Sequence, residues 1–275
     1  NRPIYLSYLV NDLSKKNYIL YFHNDPLSMN GSSSKNDRIF LLKNCFRIIF
    51  NSNWSKKRFL QGMHFDYVNS EKLLVINQSA KKNKINFKNK KNIITFVGKL
   101  NRSKGYDIFG NTVVKILKKY SNWKSIVIGD EPRDKLIFKH ERLVNKGFLN
   151  HEKVLNIYKE SSIAIVCSRW DEPFGRTSLE ASANGCAVII SNKGGLPETV
   201  TNAIILKKLD SKNLFKEIER IILNKKYRNE LQLNSHKNFY LTHNYVTNQL
   251  DKLREQKLII KNIYLRKPFR PIRIV

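Results

Sequence analysis

Short apolar runs rich in Ile, Val, Leu and Phe recur along the chain and alternate with segments of helical periodicity. Runs of this length suit strands that are buried on both faces of a parallel sheet. They lie at 17–22, 45–50, 72–76, 93–98, 125–129, 163–167 and 187–190. Apolar residues fall close to one helical face at 111–120 and again at 214–223. Strands that alternate with helices predict an α/β fold of doubly wound parallel sheets.

A lysine-rich segment divides this pattern into two units. Residues 81–91, KKNKINFKNKK, carry six lysines and few apolar residues, so we expect a linker or an exposed loop there. Residues 91–240 hold enough alternating elements for a complete Rossmann-like domain. Residues 1–90 are short for a second Rossmann-like domain, which we therefore expect to be incomplete. The remaining residues, 241–275, are predicted to form a helix and a basic tail.

The net charge of +29 is unusual for a chain with ordinary apolar content. Basic proteins are drawn to nucleic acids, anionic membranes or phosphorylated ligands. The lysines are spread throughout the chain, as AT-rich coding would produce, and this explanation accounts for most of the excess. Three scattered cysteines without metal spacing, Cys45, Cys167 and Cys186, indicate buried, reduced thiols in a cytoplasmic protein. No apolar run approaches the roughly 18 residues of a membrane span.

The loop after the strand at 93–98 carries candidate phosphate-binding residues. Its sequence is VGKLNRSKG, 97–105, in which Gly98 allows close approach of a ligand to the backbone. Lys99 and Lys104 place two ammonium groups near the end of the strand, where Arg102 adds a third cation. Such cations suit a diphosphate. A solvated basic loop is the alternative interpretation in so lysine-rich a chain.

A second loop, SRWDEPFG, follows the strand that ends at Cys167 and leads into a helix near Arg176. Backbone N–H groups at a helix N-terminus favour an anion. On one helix, Glu172 and Glu180 would be about 12 Å apart. This exceeds the roughly 5–10 Å between paired carboxylates that flank one glycosidic bond. The spacing favours a long ligand held at both ends, although each glutamate could also be an ordinary loop or helix acid.

A third loop, SNKGGLPETV at 191–200, follows the strand at 187–190. Gly194 and Gly195 allow a sharp turn, and Pro197 suits the start of a helix. The pattern is equally consistent with a simple connection between strand and helix and with a functional role.

Taken together, these blocks resemble the C-terminal half of the GT-B glycosyltransferases. They comprise VGKLNRSKG, GFLNHEKVLNIY at 147–158, and the stretch from Cys167 to Thr199 with its E-x7-E pattern between EPFG and LEA-x-A-x-G. The resemblance is greatest to the retaining group 1, or family 4, class, and covers about residues 92–200. It extends more weakly to LTHNYVTNQLDKL, 241–253, which is similar to the helix that returns to the N-terminal domain in that family.

The resemblance implies roles at the two ends of a nucleotide sugar. Lys99 and Lys104 match positions that bind the donor diphosphate, although many relatives have arginine at the first, whose bidentate geometry lysine lacks. Glu172 matches a glutamate near the transferred sugar, and Glu180 one that accepts hydrogen bonds from the ribose. The loop whose backbone contacts sugar or phosphate corresponds to Phe174, Gly175, Arg176 and Thr177. The segment against the base corresponds to Gly147, Phe148 and Leu149.

In the amino-terminal half, YILYFHNDP at 18–26 places His23 at a strand end, where relatives have a histidine near the reaction centre. A structural hydrogen-bonding role is the alternative. The segment IIFNSNWSKKRF, 48–59, is similar to a strand and helix of the family's acceptor domain. The family's first strand and glycine-rich loop would precede residue 1, so we expect an N-terminally truncated chain.

The resemblance implies metal-independent sugar transfer with retention of anomeric configuration, with fixed cations stabilising the departing diphosphate. The expected partners are a nucleotide-sugar donor, which is a substrate and not a cofactor, and a saccharide or lipid-linked acceptor of cell-envelope polysaccharide or lipopolysaccharide synthesis. The tail 253–275 interleaves basic and apolar residues, so we also expect peripheral contact with an anionic membrane on its cytoplasmic face.

Two rival functions remain open at the level of sequence. A non-catalytic nucleotide-binding relic of the fold would keep the donor site without turnover. A nucleic-acid-binding protein would account for the charge, but no zinc finger, RRM signature or recognition helix is present, so specific nucleic-acid binding is not expected.

Overall fold

The computed structural model describes residues 2–8, 18–134 and 136–261, which form two parallel sheets. The first sheet has strand order β1-β2-β3. Its strands are β1 Tyr18–Phe22, β2 Cys45–Phe50 and β3 Leu73–Val75. All of its strand pairs are parallel. The three apolar runs predicted as strands in this half of the chain are therefore confirmed.

The second sheet has strand order β6-β5-β4-β7-β8-β9, again with every pair parallel. Its strands are β4 Lys91–Val97, β5 Lys124–Ile128, β6 Leu143–Asn145, β7 Ser161–Val166, β8 Ala187–Ser191 and β9 Ala203–Leu206. The four central strands were predicted from their apolar runs. The two edge strands, β6 and β9, were not predicted.

Helices connect the strands and cover both faces of the second sheet. They are α1 Ile4–Tyr8, α2 Lys35–Asn44, α3 Asn53–Leu60, α4 Phe65–Val68, α5 Tyr106–Lys119, α6 His151–Glu160, α7 Arg176–Ala183, α8 Ser211–Leu223, α9 Lys225–Lys237 and α10 His243–Lys261. One face packs on α5 and α8, whose buried residues include Phe109 and Ile218. The other face packs on α6 through residues such as Leu155 and Tyr158. This layering confirms the predicted doubly wound α/β fold.

Helix starts follow local capping chemistry. The hydroxyl of Ser34 accepts from the backbone N–H of Asp37 at 3.0 Å, and the Asp37 carboxylate accepts in return, which forms a capping box for α2. Helix α5 begins at Tyr106 and not at the predicted residue 111. The buried side chains of Ile108 and Phe109 extend its apolar face by one more turn.

The segment 81–91 is only in part the exposed linker that its composition predicted. It contains a short 3₁₀ helix, Phe87–Asn89, and strand β4 already begins at Lys91. The Lys90 ammonium donates to the carbonyls of Tyr158, Ser161 and Asn184 at 2.7–2.9 Å. Because three carbonyl acceptors match its three donors, this lysine is accommodated inside the structure. Burial lowers its pKa.

The chain returns to the first sheet at α10, as the resemblance predicted. Val246 of this helix packs against Ile49 of β2 and against Ile76, just beyond β3. The predicted basic tail lies largely outside the described residues, which end at Lys261. The domain bounds 1–90, 91–240 and 241–275, and the truncation at the N-terminus, stay predictions.

Candidate functional site

The three predicted loops meet at the carboxyl ends of β4, β7 and β8. Gly105, with φ of 73°, lies so close to the Cys167 carbonyl oxygen that a Cβ there would come within 1.9 Å of it. Gly194, with φ of 58°, likewise approaches the Glu172 carbonyl oxygen, which a Cβ would meet at 2.2 Å. The N–H of Gly195 donates to the same carbonyl at 2.6 Å. Glycine is therefore required where the first and third loops contact the second.

A crevice of about 130 Å³ opens between these loops. Several of the residues predicted for the donor site line it together. They are Gly98, Lys104, Glu172, Gly175, Arg176 and Thr177. The strand residues Phe96, Val97 and Val166 and the hydroxyl-bearing Ser168 complete the lining. The crevice thus combines two cations, one carboxylate and the N-terminus of α7, a combination that suits a phosphorylated ligand bearing hydroxyl groups.

Lys104 forms an ion pair with Glu172 inside the crevice, with its Nζ on the Oε1 oxygen. The loop that carries Lys104 is also held in place by the segment after β5. The Asn101 side chain accepts from the Lys104 backbone N–H at 3.0 Å and donates to Glu131 at 3.3 Å. Arg133 binds the Glu131 carboxylate with two nitrogen atoms, at 2.7 and 3.0 Å. This guanidinium lowers the pKa of Glu131 to about 2.

Glu180 lies one turn into α7, with only 7% of its side chain exposed. Its Oε1 accepts from Arg176 Nη2 at 3.0 Å and Nε at 3.3 Å. The same oxygen lies 3.1 Å from His151 Nε2. Within the described part of the chain, no group hydrogen-bonds to Oε2. One carboxylate oxygen is therefore held by Arg176 and His151, while the other remains an acceptor for a ligand.

The two glutamates are not on one helix, because Glu172 lies in the loop before α7, which begins at Arg176.

His151 was not among the predicted site residues. The sequence feature that could have indicated it is its place directly after Asn150. The Asn150 side chain caps α6 by accepting from the N–H of Lys153 at 3.0 Å. Because this helix follows the predicted base-binding segment, its first residue lies beside the site.

The predicted base-binding segment is joined to the first loop by the backbone of Gly129. The Gly129 N–H donates to the Gly147 carbonyl at 2.9 Å, and the Gly98 N–H donates to the Ile128 carbonyl at 3.0 Å. Phe148 is 84% exposed, whereas Leu149 is partly buried against the core. Gly147 and Phe148 thus lie at the same edge of the sheet as the crevice, although they do not line it.

Two further predicted residues lie apart from the crevice lining. Lys99 is exposed, with its neighbour Gly98 in the lining. Phe174 is 1% exposed and packs on Leu179 and Phe239, so its side chain belongs to the core. Only its backbone is left to contact a ligand, which is the contact that the resemblance predicted for this loop.

His23, at the end of β1, is the predicted site residue from the first sheet. Its Nδ1 lies 2.7 Å from Gln78 Nε2, and its ring centroid lies 4.2 Å from that of Tyr21. Burial lowers the pKa of His23, and the positive charge of Arg176 lowers it further. The first sheet therefore presents a histidine within the electrostatic reach of the crevice.

The third loop also contacts the first half of the chain. The Glu198 carboxylate accepts from the backbone N–H groups of Asn53 and Trp54 at 2.7 and 2.9 Å, at the start of α3. In the second loop, the carbonyl of Pro173 accepts from Ser52 Oγ at 2.5 Å. The third loop is thus more than a strand-to-helix connection. Glu198 was not predicted as a contact residue, and only its place after Pro197 could have indicated a capping carboxylate.

Across the described residues, no group of three or more His, Cys, Asp and Glu side chains could hold a metal ion. None of the helices in the described part of the chain is both long enough and apolar enough to cross a membrane.

The α/β fold with its two parallel sheets matches the GT-B structures of glycosyltransferases. The structure is similar to that of Anabaena HepE in complex with UDP-glucose, with a TM-score of 0.75 and 16% identity over 92% of this chain and 76% of that one. The model of the family "Glycosyl transferases group 1" matches residues 77–238, which is more than half of the chain. The chain belongs to this family.

Two curated relatives show the extent of the likeness. An uncharacterized glycosyltransferase of Methanocaldococcus jannaschii, MJ1607, is 28% identical over 158 residues, which cover 54% of this chain and 40% of the relative. The lipopolysaccharide core biosynthesis mannosyltransferase LpsB of Rhizobium meliloti is 28% identical over 121 residues, or 40% of this chain and 34% of that protein. The chain thus spans less than half the length of these relatives.

Proposed function

We propose that this chain belongs to an enzyme that transfers a sugar from a nucleotide-diphosphate sugar to a saccharide or lipid-linked acceptor, with retention of anomeric configuration. The observation that carries the proposal is the crevice in which Lys104, Arg176 and the N-terminus of α7 lie beside Glu172. A glycosyl-diphosphate bond breaks with growth of negative charge on the leaving oxygen. Fixed cations aimed at that oxygen stabilise the transition state without reorganisation.

In the proposed donor complex, Lys104 is shared between two anions. Its ammonium group has three donors, one of which Glu172 occupies in the structure. The diphosphate takes another, so the ion pair positions the ammonium group at the sugar end of the ligand. Glu172 then lies where hydroxyls of the transferred sugar can donate to its second oxygen. The leaving group assists the acceptor, which attacks on the same face of the sugar, and this accounts for retention. Protein cations stabilise the charge of the diphosphate, a role that a metal ion has elsewhere.

The nucleotide is proposed to extend from the diphosphate towards α6. Glu180 Oε2 has no protein partner in the described residues and would accept from the ribose hydroxyls, while Arg176 and His151 hold the other oxygen. The exposed ring of Phe148 offers a stacking surface for the base. The complex of HepE with UDP-glucose supports a nucleotide sugar as the ligand of this arrangement.

The acceptor is proposed to bind on the side of the first sheet, near His23. The likeness to LpsB, a lipopolysaccharide core mannosyltransferase, supports a role in cell-envelope polysaccharide synthesis. An acceptor attached to a lipid would require the enzyme to work at the cytoplasmic face of a membrane, and the net charge of +29 favours contact with anionic lipid.

Calorimetric titration of the chain with UDP, GDP and ADP tests the donor site. One nucleotide is expected to bind, and Lys104→Ala and Glu180→Ala are each expected to weaken it by about tenfold or more, since each removes a charge-assisted hydrogen bond. Lys118→Ala and Glu230→Ala, at exposed positions on α5 and α9, are the matched controls. Turnover of the corresponding nucleotide sugar separates an enzyme from a relic. Failure of the folded chain to bind any of the three nucleotides would refute the proposed site.

A further inference from the structure

A second and larger cavity lies at the opposite edge of the second sheet. Its volume is about 690 Å³. Asn92 and Ser162, at the beginnings of β4 and β7, line this cavity, whereas Val97 and Val166, at the ends of the same strands, line the crevice. At about 3.3 Å per residue, the two sites are about 16 Å apart along β4. The cavity is therefore separate from the proposed donor site.

The charged residues in the lining of this cavity are all cations. They are Lys88, Lys90, Lys225 and Arg228, and the lining contains no Asp or Glu. In a chain with 51 basic and 22 acidic residues, this imbalance alone would say little. Lys90 is satisfied by its three carbonyl partners. Arg228 is the cation that distinguishes the cavity.

Arg228 is buried and has no carboxylate partner in the part of the chain that the structure describes. It is 8% exposed, and its guanidinium lies 5.2 Å from the ring centroid of Trp123. Nη1 donates to the carbonyls of Ile221 and Ile222 at 3.1 and 3.3 Å, at the end of α8. In the described residues, neither Nε nor Nη2 has an acceptor, and no acidic side chain pairs with the guanidinium. Arg228 lines the cavity, so an anion bound there can accept from these unused donors. The planar fork of a guanidinium suits the oxygens of a phosphate.

The cavity also presents apolar surface that a bare anion would leave uncovered. Trp123 forms part of the lining, and Leu223 and Leu233 lie at it with 69% and 48% of their surface exposed. The volume falls within the range of about 300–1,000 Å³ that is common for small-molecule sites. A phosphate group alone fills only a small part of such a cavity. The lining thus favours a ligand with an anionic head and an apolar body.

We propose that this cavity binds a phosphate monoester that carries an apolar group, with the phosphate on Arg228, Lys225 and Lys88 and the apolar group on Trp123 and the two leucines. The proposal is independent of the donor site. A free phosphorylated metabolite and the headgroup of a phosphatidic acid share this chemistry, and the experiment distinguishes them.

Titration calorimetry with inorganic phosphate and with hexyl phosphate tests the site. Hexyl phosphate is expected to bind with a stoichiometry of one, at least about tenfold more tightly than inorganic phosphate, because its methylene groups leave water. The double variant Lys88→Glu/Lys225→Glu is expected to lose at least about tenfold in affinity, since a carboxylate replaces each rim cation. The side chains of both lysines make no hydrogen bond among the described residues, so the variant is expected to fold.

The matched control is Lys115→Glu/Lys207→Glu, which makes the same change in net charge at exposed positions outside the cavity. It is expected to bind hexyl phosphate as the parent chain does, and UDP titration is expected to be the same for all three proteins. Equal weakening in both double variants would overturn the proposal, because the general positive field would then explain binding. Displacement of hexyl phosphate by UDP, or the absence of hexyl phosphate binding, would also overturn it.

Co-sedimentation with phosphatidylcholine vesicles, with and without phosphatidic acid, identifies the source of the phosphate. Binding to the phosphatidic acid vesicles that Lys88→Glu/Lys225→Glu abolishes supports a lipid headgroup as the ligand. Vesicle binding that the two substitutions leave unchanged, together with hexyl phosphate binding that they abolish, supports a free phosphate monoester.

Discussion

The contact between Glu198 and the start of α3 gives the sharpest prediction about stability, because it joins the two halves of the chain. The carboxylate accepts from the N–H groups of Asn53 and Trp54 and from Asn53 Nδ2, at 2.7–2.9 Å. Glu198→Ala leaves these donors to water. Loss of a helix cap costs about 0.5–2 kcal/mol, and loss of a charge-assisted hydrogen bond about 1.5–3 kcal/mol when it is buried.

Because Asn53 is exposed, water recovers part of this free energy, and we expect Glu198→Ala to lower the free energy of unfolding by about 1–2 kcal/mol. Glu198→Gln keeps an acceptor but removes the charge at the helix N-terminus, so about 0.3–1 kcal/mol should be lost. Urea unfolding measures these differences, followed by circular dichroism and by tryptophan fluorescence, to which Trp54 contributes from the contact itself. The matched control is Glu230→Ala on the exposed face of α9, for which a change within about 0.5 kcal/mol is expected.

A second readout tests whether the contact couples the two halves. If it does, Glu198→Ala should also weaken nucleotide binding, because Ser52 and the Pro173 carbonyl next to Glu172 belong to the same interface. Equal unfolding free energies for Glu198→Ala and Glu230→Ala would refute the reasoning, since the carboxylate would then contribute no more than a solvated surface charge.

Three further predictions concern the site and its surroundings. His151→Ala should weaken nucleotide binding by about threefold to tenfold in calorimetry, and His151→Gln, which keeps an N–H donor towards Glu180, should restore most of it. The pKa of Glu131, held at about 2 by Arg133, implies a contribution to stability that is complete above pH 4.5 and is lost as the pH falls towards 2. Thermal unfolding as a function of pH should therefore show a shallower acid decline for Glu131→Gln; an unchanged profile would contradict this. Burial raises the pKa of Cys45 to about 11 and that of Cys167 to about 12, so an aromatic disulfide reagent at pH 8 should modify none of the cysteines until urea unfolds the chain.

In the second sheet, the strands that the sequence predicted are the four central ones. The central strands β7 and β8 are buried at every position, and their apolar runs are continuous. The missed strands β6 and β9 are the two edges of the second sheet. In β6 the residues after Leu143 are exposed, and β9 has only one buried position, Leu206. These two edge strands bury few residues, so their sequences resemble those of loops.

The sequence could predict that several of the candidate-site residues lie together, because they occur in short blocks at strand ends, and parallel strands bring those ends to one edge. The partners that fix their geometry could not be predicted in the same way. His151 lies 29 residues before Glu180, and Glu198 lies 145 residues after Asn53. Such pairs depend on how helices pack, which spacing within one segment does not reveal.

In this chain, basic residues do not indicate a binding site by themselves, whereas acidic residues are more informative. In a chain with 51 basic residues, no single lysine or arginine indicates a site, because most of them are solvated. The acidic residues are fewer, and the structure places two of them on the cations of the crevice, with Glu172 on Lys104 and Glu180 on Arg176. A carboxylate that holds a cation in place reduces the reorganisation needed when a diphosphate arrives. The glutamates, more than the lysines, therefore mark where we propose that this basic chain binds its ligand, whereas Arg228 is buried with no carboxylate partner among the described residues.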